Sequence, residues 1–409
     1  MKLRAGPHSR VVIVGANFAG LIAAQHLSTS HAVTVIDAWP WFEWLPNIHE
    51  LVSGVKRPEV LRLSRPHLVM RAGHRFLRAT VASIDARAGR LLTTNGRRVD
   101  FDVCVVAVGG INDTFGVPGA DRHAMPFKTV EDCYTIGRQL AALVRQKSRL
   151  SVVIVGGGLE GVEALGEVLR RYRSLARLTV HVVEGAPRLL PGAPAAIDAM
   201  VRERCASYDV RFHTGTRVSE VTRGWVHLGS GGSLRSDLTV WTGGATASEL
   251  LLAAELADRP KQWAPVTETL QSRRFENVFV IGDAAALPKP IGKQAYYAMQ
   301  MGEHAAGSVE RLLSGGRPRP FHPSAKPMLI SLGDLDTYLV VGKTVIAGPA
   351  LAAVKESVFE LTMAQIDPPL RPSSLMSLAG RATSSIRELL LPALTSWEAV
   401  QRLADLRIS

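Results

Sequence analysis

One pattern constrains this chain more than any other, and it occurs twice. A run of β-branched residues ends in a glycine-rich turn, which passes directly into an apolar helix. The first copy reads Val11-Val12-Ile13-Val14, then Gly15-Ala16-Asn17-Phe18-Ala19-Gly20, a helix to about residue 27 and a strand over 32–36. The second reads Val152-Val153-Ile154-Val155, then Gly156-Gly157-Gly158-Leu159-Glu160-Gly161, a helix through about residue 172 and a strand over 178–183. Continuous Val/Ile runs suit parallel strands buried on both faces. Strand, turn, helix and strand in that order form a βαβ unit. The expected fold class is therefore α/β, with two Rossmann-type dinucleotide-binding units and a small C-terminal α+β region.

In the second copy, Gly156, Gly158 and Gly161 complete G-x-G-x-x-G between a strand and a helix. Such glycines permit the tight turn, let a pyrophosphate approach the backbone and bring helix against strand. The helix start then offers free N–H groups to the phosphates. Leu159 and Glu160 lie within the same turn. Glu184 ends the next strand, where a carboxylate accepts from ribose hydroxyls and repels a 2′-phosphate, so NADH is favoured over NADPH. The first copy keeps Gly15 and Gly20 but has Asn17 at the middle position. Asn tolerates unusual backbone angles, and its side chain must point away from the pyrophosphate or bond to it. Asp37 is placed for a ribose, 22 positions after Gly15.

Further strands are expected over 101–108, ending in Gly109-Gly110, over 238–241, ending in Thr242-Gly243-Gly244, and over 277–281, ending in Gly282-Asp283. Composition shifts after Gly315-Gly316-Arg317-Pro318, which marks a boundary. The three cysteines, Cys104, Cys133 and Cys205, are far apart and form no C-x-x-C. That argues against a disulfide framework, a zinc site and a redox dithiol. No Ser, His or metal-ligand constellation is evident, and His49 and His123 read as isolated structural residues. The net charge of +12 favours anionic partners. No apolar run approaches the roughly 18–20 residues of a membrane span. The N-terminus does not read as a signal peptide. The expectation is a cytoplasmic protein, soluble or peripheral on a membrane surface.

Taken together, these motifs resemble the flavoproteins with two dinucleotide-binding domains. Phe42-Glu43-Trp44-Leu45-Pro46-Asn47-Ile48-His49, where related reductases carry a dithiol, looks like the type II NADH dehydrogenases and the apoptosis-inducing-factor-like quinone reductases, as does Gly156-Gly157-Gly158-Leu159-Glu160-Gly161-Val162-Glu163. The resemblance covers about residues 10–315. It implies that the first unit holds FAD and the second NAD(P)H. The domains would be an FAD domain over 1–112 and 246–316, an NAD(P)H domain over 113–245, and an interface or membrane-attachment region over 317–409. The resemblance places Asp283 on the flavin's ribityl chain, and it implies cofactor contacts at Gly15, Asn17, Phe18, Ala19, Gly20, Asp37, Pro46, Val81, Gly109, Gly243, Gly282 and Ala295. It also implies that Glu163, Tyr296 and Gln300 border the reaction centre. In the type II enzymes two glutamines precede the glycine of the helix under the flavin. Here only Gln300 remains, with Met301 in place of the other.

Residues 321–365 follow the apoptosis-inducing-factor-like pattern, with short strands at 329–333 and 340–342. Helices are expected over 373–391 and 396–406, basic and amphipathic enough to lie on a membrane or to pack on the protein's own core or a second copy. The activity implied is hydride transfer from NADH to flavin, then electrons to a quinone-like acceptor. Three alternatives stand beside it: a ferredoxin- or rubredoxin-type acceptor, a dedicated metabolite, and a redox-sensing flavoprotein that binds nucleic acid or lipid. Under the main reading no metal and no nucleic acid is expected.

Overall fold

The computed structural model describes residues 8–175, 177–368 and 407–408. The chain forms two compact units. One is built from Met1–Glu43, Arg62–Ile111 and Ala245–Ala325, the other from Trp44–Leu61, Asn112–Gly244 and Lys326–Ser409.

At the centre of the first unit is a five-stranded sheet in the order Val278–Val280, Val103–Val106, Arg10–Val14, Ala32–Asp37 and Arg75–Arg78. Every pairing in it is parallel. Val11, Ile13, Val103, Val105 and Val278 are fully buried, as strands covered on both faces require. Strand order reverses at Arg10–Val14, and the crevice beyond the carboxyl ends at such a point is where doubly wound sheets take ligands. The helix Phe18–His26 packs on the helix Ala295–Leu313 so tightly that a Cβ at Gly302 would lie 2.3 Å from the Ala19 carbonyl oxygen. The arginine-dotted stretch before residue 98 folds into short strands, among them the antiparallel set Val81–Asp85, Arg90–Thr93 and Arg98–Asp100.

The second unit repeats the plan. Its parallel sheet runs Ala124–Pro126, Leu238–Trp241, Leu150–Val155, Leu178–Glu184 and Val210–Thr214. An antiparallel meander, Val218–Thr222, Trp225–Leu228 and Ser233–Arg235, covers one face through Val153, Val155, Val183, Val221, Val226 and Trp241. The two expected late strands occur as Met328–Leu332 and Asp336–Val341. A third, Thr344–Ala347, extends that sheet, and Arg407–Ile408 pairs at its edge. The helix Leu351–Ile366 was not foreseen. The expected helices over 373–391 and 396–406 lie outside the described residues. Among the described residues no helix is long and apolar enough to cross a membrane.

Candidate functional site

The first turn needs glycine at both ends. Gly15 has φ +92°, and a Cβ there would meet the Ala107 carbonyl oxygen at 2.4 Å. A Cβ at Gly20 would lie 1.9 Å from the Gly15 carbonyl oxygen. Between them, Asn17 turns its amide toward the strand Trp41–Glu43. Asn17 Nδ2 donates to the Glu43 carbonyl at 3.2 Å, and Glu43 N donates to Asn17 Oδ1 at 3.0 Å. The side chain therefore fastens a neighbouring strand to the turn. Phe18 and Ala19 are buried, Phe18 edge-on to Phe42 at 5.1 Å.

Asp37 accepts from Ala16 N at 2.8 Å and from Trp39 N at 2.9 Å. Arg65 Nη1 lies 2.6 Å from its Oδ1. Arg65 is itself buried, and it also donates to the Trp39 carbonyl and to Asn17 Oδ1. Burial lowers its pKa from the ordinary value, against the pull of Asp37 and Glu43. Its Nε has no hydrogen-bond partner. The sequence reading did not include Arg65. Its signal would have been an arginine opening a short helix after Ser64, which caps that helix from its side chain.

Several other expected residues of this unit lie in or beside the helix Ala295–Leu313. Gly282, with φ +66°, would place a Cβ 3.1 Å from Ala19 Cβ. Asp283 follows in a tight turn, Gly282–Ala284, and Lys293 donates to the Asp283 carbonyl. The Lys293 ammonium lies 3.6 Å from the centre of the Trp263 ring. Ala295 opens the long helix, and the rings of Tyr296 and Tyr297 rest on each other at 4.3 Å. Gln300 pairs in both directions with Ser324, donating to its carbonyl at 3.0 Å and accepting from its N–H at 2.8 Å. Gly109 (φ +63°) has open space where its Cβ would stand, and Val81 begins an antiparallel strand.

In the second turn a Cβ at Gly161 would again lie 1.9 Å from the first glycine's oxygen, here Gly156 (φ +108°). A Cβ at Gly156 would also crowd Gly243 N at 3.0 Å, so Gly243 closes on this turn. A Cβ at Gly158 would meet nothing within 4 Å. The middle of this turn therefore faces open space, as a backbone approached by a pyrophosphate must. Glu184 accepts from Gly157 N at 2.6 Å and from Ala186 N at 2.7 Å. Leu159 is 38% exposed at the start of its helix, and Glu160 pairs with Lys128 at 2.5 Å.

Behind this turn lies a buried cluster of charge. Glu163 takes Lys355 Nζ at 2.5 Å and Ser331 N at 3.3 Å on Oε1, with His49 Nδ1 3.4 Å from Oε2. His49 Nε2 in turn is 3.4 Å from Lys355 Nζ. His49 is thus not the isolated residue the sequence implied. Burial and the neighbouring cations hold its pKa well below the usual range. Burial raises the Glu163 carboxyl against the pull of Lys355. One helical turn on, Glu167 bonds Ser53 and Arg170, and burial pushes it up to about 7. Asn47, Glu50, Lys56 and Glu356 extend the network. A cavity of about 10 Å³, lined in part by Glu50, Glu167, Arg170, Lys355 and Glu356, is water-sized. Pro46 lies in the turn Leu45–Asn47 beside it in sequence.

A chain with two parallel-sheet cradles, each a strand, a glycine turn, a helix and an acid at the end of the next strand, has the plan of two dinucleotide-binding units. The family model for pyridine nucleotide-disulphide oxidoreductases matches residues 9–302, and the chain belongs to that family. It is 28% identical over 377 residues to the type II NADH:quinone oxidoreductase of Staphylococcus aureus, a match covering 85% of this chain and 93% of that one. Its fold is that of NDH2 from Plasmodium falciparum, solved with NADH: TM-score 0.80 at 16% identity, covering 87% and 94% of the two chains. The sulfide:quinone oxidoreductase of Aquifex aeolicus gives a TM-score of 0.76 at 17% identity, covering 88% and 91%. The family's name refers to a disulphide, yet Cys104, Cys133 and Cys205 are all buried and none is in a disulfide, and burial pushes the Cys104 and Cys205 thiols up to about 12.

Proposed function

We propose that this chain is an FAD-dependent oxidoreductase that takes a hydride from NADH and passes two electrons to a quinone-like acceptor. The pair of complete cradles in one chain of this family carries the proposal, and the activity named for the S. aureus relative supplies donor and acceptor. FAD fits the first cradle, where Gly15 and Gly20 let the turn close tightly on its strand and helix and buried Arg65 keeps a cation at the turn. NADH fits the second. There Gly158 opens onto free space and Glu184 would repel a 2′-phosphate. Asp37, Asp283 and the turn amides would hold the flavin nucleotide; Gly156, Gly158, Gly161 and Glu184 would hold the nicotinamide nucleotide. Bound FAD supplies the two-electron chemistry that no side chain here provides.

The net reaction, NADH, quinone and a proton giving NAD⁺ and quinol, takes up one proton beyond the hydride. In this reading the Glu163–Lys355 pair holds a proton between Oε1 and Nζ in a site where burial raises the carboxyl. Tyr296 borders the acceptor, while Gln300, tied to Ser324, is a positioning residue. A lipid-soluble acceptor would bring the enzyme to the cytoplasmic face of a membrane.

The test is to mix the purified protein anaerobically with NADH, then offer a short-chain quinone while following flavin absorbance. Rapid bleaching followed by rapid recovery is expected. Bleaching without recovery would exclude the quinone-like acceptor, and a protein that neither carries nor takes up FAD would sink the proposal.

A further inference from the structure

Beside Asp37 the chain makes a corner whose main chain is held almost group by group. Trp39 N donates to Asp37 Oδ1 at 2.9 Å, and Arg65 Nη1 donates to the Trp39 carbonyl at 3.1 Å. Arg65 N donates to the Pro40 carbonyl at 2.9 Å, Arg78 Nε to the Ala38 carbonyl at 3.3 Å, and Ala79 N to the Asp37 carbonyl at 3.0 Å. Yet the indole of Trp39 is 68% exposed, more than any other large apolar side chain among the described residues. A rigid pedestal carrying a bare aromatic face is what a planar ligand needs. The cost of ordering the platform is already met in the free protein, and Trp offers a large π surface with few torsions.

The second cradle shows where this corner lies. There Ala186 N donates to Glu184 Oε1 just as Trp39 N does to Asp37, two residues after the acid in both cases, and a proline follows each, Pro187 and Pro40. The first cradle therefore presents an indole at the position where the second presents a methyl group. Asp37 Oδ2 takes one main-chain donor, Ala16 N, leaving acceptor capacity for a ribose hydroxyl. A base attached to that ribose is one sugar away from the corner.

We propose that Trp39 is the platform on which the adenine ring of the first cradle's dinucleotide stacks. The proposal rests on the reading of that cradle as the FAD site and names the residue that reads the adenosine end. Stacking of a base on an aromatic side chain amounts to ~1–3 kcal/mol by alanine substitution, or roughly 5- to 150-fold in affinity.

The experiment titrates deflavinated protein, its second cradle filled by excess NAD⁺, with FAD, with FMN, which lacks the adenosine, and with ADP, which lacks the flavin. For Trp39→Ala the FAD and ADP dissociation constants should each rise about 10-fold or more, with FMN binding and the melting temperature of the apoprotein unchanged. Trp39→Phe should keep most of the affinity, and the quenching of tryptophan fluorescence by ADP should disappear in it. If Trp39→Ala binds FAD as tightly as the wild type, or loses FAD and FMN by the same factor, the platform is overturned while the cradle stands. If the wild-type apoprotein binds neither FAD nor ADP, the cradle reading falls and the platform with it. An exposed tryptophan serving a partner protein would give the first of these results.

Discussion

The two cradles are built on one plan and differ at its centre. In the second, Gly158 leaves the middle of the turn open, Glu184 accepts from two main-chain amides, and the corner after it carries Ala186. In the first, the middle position carries Asn17, the acid carries a buried arginine, and the corner carries an indole. The first site has been given extra fixtures and the second has been kept clear. That difference fits a cofactor retained through every turnover against a substrate that must enter and leave. The helices behind the turns differ in the opposite sense. Phe18–His26 buries only apolar and glycine residues, whereas Leu159–Tyr172 buries Glu163 and Glu167.

The comparison breaks most sharply at Gly15. With φ +92° and a backbone oxygen 2.4 Å from any Cβ, Gly15→Val should purify without flavin, and an absorbance spectrum retaining it would refute the need for this turn. Breaking the second unit's buried pair comes next. Lys355→Met leaves Glu163 without its cation and should lower unfolding stability by ~3–5 kcal/mol in denaturant titrations. Gly158→Val should weaken NADH binding by about 30-fold (~2 kcal/mol) yet leave the melting temperature unchanged, because a Cβ there meets nothing within 4 Å. Asn17→Gly should do the reverse, costing ~1–2 kcal/mol of stability through its two bonds to Glu43 and slightly loosening FAD.

A smaller effect separates the two helices by pH. Burial lifts Glu167 from 4.5 to about 7, so the folded protein holds that proton more tightly than the unfolded chain does. The associated stability is present below about pH 4.5 and is lost as pH rises through about 7. Glu167→Gln should therefore gain on the wild type between pH 5 and pH 8. Chemical denaturation at the two values measures it, and an equal difference at both would contradict the assignment.

Much of this was legible in the sequence because it is local. Each turn, its strand, its helix and its acid fall within about thirty residues, and the glycines and Val/Ile runs declare them. The links that complete the sites are long-range. Lys355 reaches Glu163 across 192 positions and His49 across 306. Nothing local in the sequence marks Lys355 and Glu356 as inward-facing, and only the fold buries them. Likewise Gln300 carries a family-like motif, yet its amide goes to Ser324. Arg65 had only its place after the Ser64 cap to mark it, and one arginine among many gains its meaning when the fold sets Asp37 beside it.

The central claim is that one chain holds a resident flavin and an exchanging nicotinamide in separate cradles. An anaerobic NADH titration of Gly158→Val beside the wild type, followed by flavin absorbance, tests it most directly. Full flavin content is expected in both proteins, with bleaching of the wild type by NADH and a variant that needs about 30-fold more NADH for the same rate of bleaching though dithionite bleaches both alike. A variant that NADH bleaches as readily as the wild type, or one that loses its flavin, would contradict the division of labour between the two turns.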